Sequence, residues 1–201
     1  MNKWKKSICI IDSQIKGTGF LCLIPNPNID NLLKVLITCN HVLSDIKDGN
    51  IIKLIFYDGT KKIIKLDETR IKYTNEKNDI TIIELKQDEF EINNYLNIDN
   101  DIYNSNNIIL NNKPIYIIYY PGITKPKYAL DVINKYNESD NIIYHCCDTD
   151  NGSSGSPILN LDNFQVIGIH IGKHYENKYN IEKLLKYLIN DFNKEKNKLI
   201  N

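Results

Sequence analysis

The chain has 201 residues and carries 25 Lys plus Arg against 25 Asp plus Glu, so no global field draws it toward nucleic acid or an anionic membrane. With 42% apolar residues it is long enough to bury a core, as one large unit or two closely joined ones. No apolar stretch reaches the ~20 residues that a membrane-spanning helix needs.

Met1 to Lys6 is basic, but the apolar run that follows, Ile8 to Ile11, stops at Asp12. That is too short for a secretory signal core. Cys9, Cys22, Cys39, Cys146 and Cys147 are odd in number and cannot all pair. Without an export signal, free thiols are expected, which places the protein inside a cell, in the cytoplasm or packaged in a particle. Strands are predicted over Ser7–Ile11, Gly17–Ile24 and Leu33–Cys39, with a short helical turn over Val42–Ile46. Ile51–Tyr57 and Lys61–Leu66 flank Asp58-Gly59, a hairpin signal. Arg70–Tyr73 and Ile80–Leu85 follow, then a polar connector with a short strand near Tyr95-Leu96. Further strands are predicted over Pro114–Tyr120, Tyr128–Asn134, Ile142–Cys146, Pro157–Leu159 and Phe164–Ile171. Asn180 is placed as the cap of a helix over about 181–196, with Leu184, Leu188 and Phe192 on one face. Many short strands separated by turn signals predict a closed or sandwiched β-fold.

The stretch that carries chemistry is Gly152-Ser153-Ser154-Gly155-Ser156-Pro157. Glycines on both sides of a serine permit a tight turn with an exposed hydroxyl. They also leave N–H groups, those of Gly152 and Ser154, free to hold an oxyanion. The motif opens a β-hairpin, so it is not the strand-to-helix elbow of an α/β-hydrolase. A serine of this kind needs a base, and His41 stands at the end of the apolar strand LITC. Asp79 abuts the apolar run ITIIEL and can accept the imidazole N–H, with Asp67 and Glu76 as the other acids in reach. His145-Cys146-Cys147 would suggest a metal, but adjacent strand residues face opposite ways and no second ligand pair completes a tetrahedron. No metal or other cofactor is therefore expected. Neither Cys146 nor Cys147 sits in a glycine turn, which argues against a thiol nucleophile.

With Gly17-Thr18-Gly19-Phe20, Thr38-Cys39-Asn40-His41-Val42, Asn78-Asp79-Ile80 and Gly152 to Pro157 in this order, the chain resembles the chymotrypsin-like (trypsin-fold) serine peptidases over about residues 8–190. The resemblance implies an all-β fold, two six-stranded antiparallel β-barrels with a C-terminal α-helix. The first barrel, 1–90, would carry His41 and Asp79, and the second, 113–201, would carry Ser154, with 91–112 as connector. It implies a serine endopeptidase acting on polypeptides through a His41, Asp79, Ser154 triad and an acyl-enzyme. Cys39 and Asn40 depart from the pattern, since many members have alanine there, and Ser153 stands where Asp or Asn is common.

The chain also resembles the narrower glutamyl endopeptidases, and viral two-barrel cysteine peptidases that cut after Gln. Both place a threonine five residues before the nucleophile and a histidine in Gly-Ile/Leu-His, here Thr149 and His170. As pocket-lining donors they imply cleavage after Glu or Gln. Asp148, where trypsin-type enzymes carry an acid, implies cleavage after Lys or Arg instead. Thr149 and His170 are preferred because His170 lies on the neighbouring strand, facing inward; its plainer role is that of a satisfied core histidine. The rival to an enzyme is a catalytically silent two-barrel module that binds peptides along a strand edge.

Overall fold

The computed structural model describes residues 6–26, 32–44, 51–86, 89–90, 95–122, 125–174 and 178–200. Its strands are β1 (Ile8–Ile11), β2 (Gly17–Ile24), β3 (Leu33–Thr38), β4 (Ile51–Phe56), β5 (Lys61–Lys65), β6 (Lys72–Asn75), β7 (Ile80–Glu84), β8 (Leu96–Asn97), β9 (Pro114–Tyr119), β10 (Lys127–Val132), β11 (Lys135–Asn137), β12 (Ile142–His145), β13 (Pro157–Asn160), β14 (Val166–Lys173) and β15 (Asn180–Leu184). A 3-10 turn spans His41–Leu43, and two helices are α1 (Asn100–Asn104) and α2 (Leu185–Ile200).

These strands form two curled, chiefly antiparallel sheets, the two-barrel arrangement of a chymotrypsin-like fold. The first runs β5-β4-β1-β2-β3-β7-β6, with β8 added parallel to β2; the second runs β10-β9-β13-β14-β15-β12-β11. Fully buried runs build the middle of each sheet. Every residue of β1 is buried, as are Ile80 to Ile83 of β7 and all of β13. Edge strands alternate instead: β5 buries Ile64 between exposed Ile63 and Lys65. Gly59, at φ 81°, closes the β4–β5 hairpin at Asp58-Gly59.

The C-terminal helix begins later than the sequence predicts. Asn180–Leu184 is β15, its side chains alternating buried and half-buried, hydrogen-bonded on one side to β14 and on the other to β12. A segment with a strand on each side satisfies its backbone groups in the sheet, and this overrides local helix periodicity. Asn180 is therefore a buried strand residue and not a helix cap. Helix α2 folds back onto the first sheet, where Phe192 is fully buried and meets the Tyr73 ring edge-on at 6.1 Å. Asn193 donates to the Pro25 carbonyl at 3.1 Å. One core cluster thus joins both sheets through Leu159, Val166, Ile169 and this helix. Among the described residues no helix is long and apolar enough to cross a membrane. All five cysteines are free.

Candidate active site

The glycine stretch folds as two consecutive turns. Ser153 N–H donates to the Asp150 carbonyl at 3.1 Å and Ser156 N–H to the Ser153 carbonyl at 3.0 Å. Each turn has glycine at its third position, Gly152 at φ 94° and Gly155 at φ 88°. That backbone region is cheap for glycine alone. Space demands glycine as well: a Cβ on Gly155 would lie 2.0 Å from the Thr18 carbonyl oxygen, and one on Gly152 2.5 Å from that of Tyr120. Ser154 is left at the second position of the second turn, half-exposed. The competing hydroxyls are withdrawn: Ser153 is buried, and buried Ser156 donates its Oγ–H to the Ser153 carbonyl at 2.5 Å. The N–H groups of Gly152 and Ser154 have no acceptor among the described residues, which leaves them available to an oxyanion.

The loop is fastened to the first sheet by Thr18. Its N–H donates to the Ser154 carbonyl at 2.8 Å, its hydroxyl donates to the Gly152 carbonyl at 2.8 Å and accepts from Tyr120 N–H at 3.0 Å. On the other side Gly155 N–H donates to the His170 carbonyl at 2.8 Å, and His170 N–H to Ser156 at 2.9 Å.

His41 opens the 3-10 turn directly after β3. Asp79 sits in the left-handed region, φ 51°, at the last position of a turn from Glu76 that feeds β7. That conformation is tolerated by a short polar side chain. It aims both carboxylate oxygens at one residue: Oδ1 accepts from His41 N–H at 2.9 Å and Oδ2 from His41 Nδ1 at 2.6 Å. The imidazole proton is thereby held on Nδ1 and the Nε2 lone pair is left to act as a base. Asp67 bonds Thr69 and Lys86 instead. His41 and Ser154 line one cleft of about 480 Å³ with Thr149, Gly152, His170 and Lys173. No hydrogen bond joins His41 Nε2 to Ser154 Oγ among the described residues.

Thr149 and His170 both come to this cleft, and Asp148 does not line it; it is exposed, as strand-like alternation beside buried Thr149 requires. The pocket chemistry differs from two hydroxyl and imidazole donors. Thr149 spends its hydroxyl proton on Asn180 Oδ1 at 2.7 Å, because Asn180 is oriented by its own Nδ2–H bond to the Cys147 carbonyl at 2.6 Å. Toward the cleft Thr149 can only accept. Lys173 Nζ donates to the Thr149 carbonyl at 2.8 Å.

Behind His170 lies a cluster that sequence reasoning missed. Glu182 on β15 is fully buried, and its Oε1 stands 2.7 Å from His170 Nδ1 and 2.5 Å from His145 Nε2. Burial raises the Glu182 carboxyl to about 7 and lowers the His170 imidazole to about 3. The strand-like alternation Asn180, Glu182, Leu184 was the available signal, hidden by treating the segment as helix. Ligand-type atoms fall within 4.8 Å of one another here, around His41 with Cys39 and Asp79, and around His145 with Asp131 and Cys147. His41–Asp79 and His145–Glu182–His170 are held by hydrogen bonds within these sets.

Comparison with solved structures gives the same fold. A serine endoprotease from Yersinia pestis superposes with a TM-score of 0.67 at 12% identity over 92% of this chain, which spans 61% of that one. Deg5 superposes at 0.65 with 16% identity, over 94% of this chain and 88% of its own. A protease of M. tuberculosis H37Rv in an inactive form gives 0.62 at 16% identity, over 90% and 84%. No protein of curated function matches the sequence. The model of the trypsin-like peptidase domain matches residues 17–169, from the start of β2 to the middle of β14. The chain therefore belongs to the trypsin-like peptidase family.

Proposed function

We propose that the chain cleaves polypeptides with Ser154 as nucleophile, His41 as general base and Asp79 as the residue that orients His41. The carrying observation is the double grip of Asp79 on His41, which leaves Nε2 basic in the cleft that Ser154 lines. His41 Nε2 takes the Ser154 hydroxyl proton as Oγ attacks the peptide carbonyl. The resulting oxyanion is held by the N–H groups of Gly152 and Ser154. His41 passes the proton to the leaving amine, and water, deprotonated by the same imidazole, hydrolyses the acyl-enzyme. The two sheets act as two barrels, residues 1–90 supplying base and acid and 113–201 the nucleophile.

In the same reading Thr149 and His170 form the pocket for the residue before the cleaved bond, which is Glu or Gln, as in the glutamyl endopeptidase type. His170 Nε2, without a partner among the described residues, is the group that meets the side-chain oxygen. The free thiols, four of them buried, suit a reducing compartment, so the protein is proposed to act inside a cell.

A fluorophosphonate probe followed by peptide mapping tests the nucleophile. One adduct on Ser154, abolished in Ser154→Ala with an unchanged melting curve, is expected. An adduct on Ser153 or Ser156 refutes the assignment, and no adduct with a folded chain favours the silent peptide-binding module. Matched peptides varied only before the cleaved bond test the pocket; faster cleavage after Lys or Arg overturns it.

A further inference from the structure

Resting on that pocket, we infer that Glu182 is a positioning residue: it holds a proton against His170 Nδ1 and so keeps His170 in the form that donates from Nε2, making the pocket a reader of the glutamine carboxamide. The argument is a count of protons around one oxygen. Cys147 N–H donates to His145 Nδ1 at 3.0 Å, so the ring proton of His145 sits on Nε2 and points at Glu182 Oε1, 2.5 Å away. That fixes Oε1 as an acceptor toward His145. Toward His170 Nδ1, at 2.7 Å, two states remain. If Glu182 is ionised, His170 must donate from Nδ1, and its Nε2 shows the cleft a lone pair. If Glu182 is protonated on Oε1, it donates to Nδ1, and Nε2–H points to the cleft. Only the second state can hydrogen-bond a substrate side-chain oxygen.

The surroundings favour that state below neutrality. Glu182 is fully buried and Oε2 has no partner among the described residues, a poor setting for a full negative charge. Lys173 and His41 face His170 from the cleft side and disfavour its cation. Around Glu182, burial raises the Cys39 and Cys147 thiols and keeps them uncharged; Asp131 stands farther out, beside His145 and Cys147. Glu182, with its carboxyl raised to about 7, is thus the proton source in this cluster. Opposite His170, Thr149 presents an acceptor because its own proton goes to Asn180. One donor and one acceptor match a carboxamide; a carboxylate leaves the Thr149 oxygen facing another oxygen.

Two measurements test this. In Ser154→Ala protein, 15N imidazole spectra should show His170 with its proton on Nε2 at about pH 6 and on Nδ1 at about pH 8.5. In the active enzyme, kcat/KM for a peptide with Gln before the bond, divided by that for the same peptide with Met, cancels the ionisation of His41. That ratio should fall about 10–100-fold over the same range, the cost of one buried hydrogen bond turned into an unpaired contact. Glu182→Gln keeps the shape, but its amide oxygen must face His145 Nε2–H, which locks His170 with its proton on Nδ1. The ratio should then stay low at every pH. Below neutrality Gln should be cleaved faster than Glu. A ratio flat with pH in the wild type, a Glu182→Gln ratio that follows the wild type, faster cleavage after Glu, or an Nδ1-protonated His170 at about pH 6 each overturns the role of Glu182. A wild type with no preference for Glu or Gln at any pH instead removes the pocket reading, and the spectra still decide the tautomer. They decide it too if Glu182→Gln does not fold.

Discussion

Asp79→Asn isolates orientation from packing. Asn at 79 keeps an oxygen for the backbone N–H of His41, now 2.9 Å from Oδ1. Turning the amide over would set its NH2 against that N–H, donor to donor. The NH2 therefore faces His41 Nδ1, now 2.6 Å from Oδ2, and donates to it. The imidazole proton moves to Nε2 and the base is lost. A wrong tautomer of this kind costs about 10⁴ in kcat, or about 5.5 kcal/mol of barrier. The fold should hold, since Asn accepts the φ of 51° at this position. Asp79→Ala is the contrast. It strips the His41 N–H of its partner and puts a Cβ-only residue in the left-handed region, together about 2–4 kcal/mol of stability. Asp79 is 26% exposed, so the lower half of that range is expected. Initial rates on a cleaved peptide and thermal melts on both variants separate the effects. An Asp79→Asn enzyme within about tenfold of wild type, or one inactive because it has unfolded, refutes the reasoning.

Gly155→Ala should abolish labelling of Ser154 and lower stability by at least about 2 kcal/mol, given the φ of 88° and a Cβ placed 2.0 Å from the Thr18 carbonyl; a normal melt with full labelling contradicts this. Iodoacetamide should modify Cys146 alone in the native protein, because burial both hides the thiols of Cys9, Cys22, Cys39 and Cys147 and raises them. A Cys22–Cys39 disulfide in a peptide map would contradict it; Cys22 pairs with Val35, four residues and so roughly 13 Å of strand from Cys39. Glu182 also links stability to pH. Its carboxyl is raised from 4.5 to about 7 on folding, so its proton stabilises the folded chain fully below the lower value and the benefit is lost as pH rises through the upper one. The melting temperature of the wild type relative to Glu182→Gln should fall between about pH 5 and pH 8; a difference that is flat or rises speaks against the shift.

Local chemistry made much of this legible. Asp58-Gly59 declares its hairpin by turn preference, and Gly152 and Gly155 declare the serine turns, because each depends on a few adjacent residues. Asp79 was legible for its place before an apolar strand, though its left-handed backbone was not. What stayed hidden depends on partners far along the chain. Ile181, Leu184, Leu185 and Leu188 have helical spacing across the strand–helix junction, and only pairing with β12 and β14 shows that the first part is a strand. That misassignment concealed Glu182 and, through Asn180, the spent proton of Thr149. Strand β11 and helix α1 went unseen because both are very short and polar.

Thr18 belongs to the first sheet, yet it accounts for two of the bonds that shape the serine turns of the second. The cutting edge is consequently a joint property of both halves. A chain that has completed only one sheet has either a serine turn with nothing to brace it or a bracing strand with nothing to brace. On the proposed reading, competence to hydrolyse peptides therefore requires both sheets to be folded and joined. For a protease surrounded by copies of itself, that requirement is protective: a molecule that has lost one sheet can be cut but cannot cut.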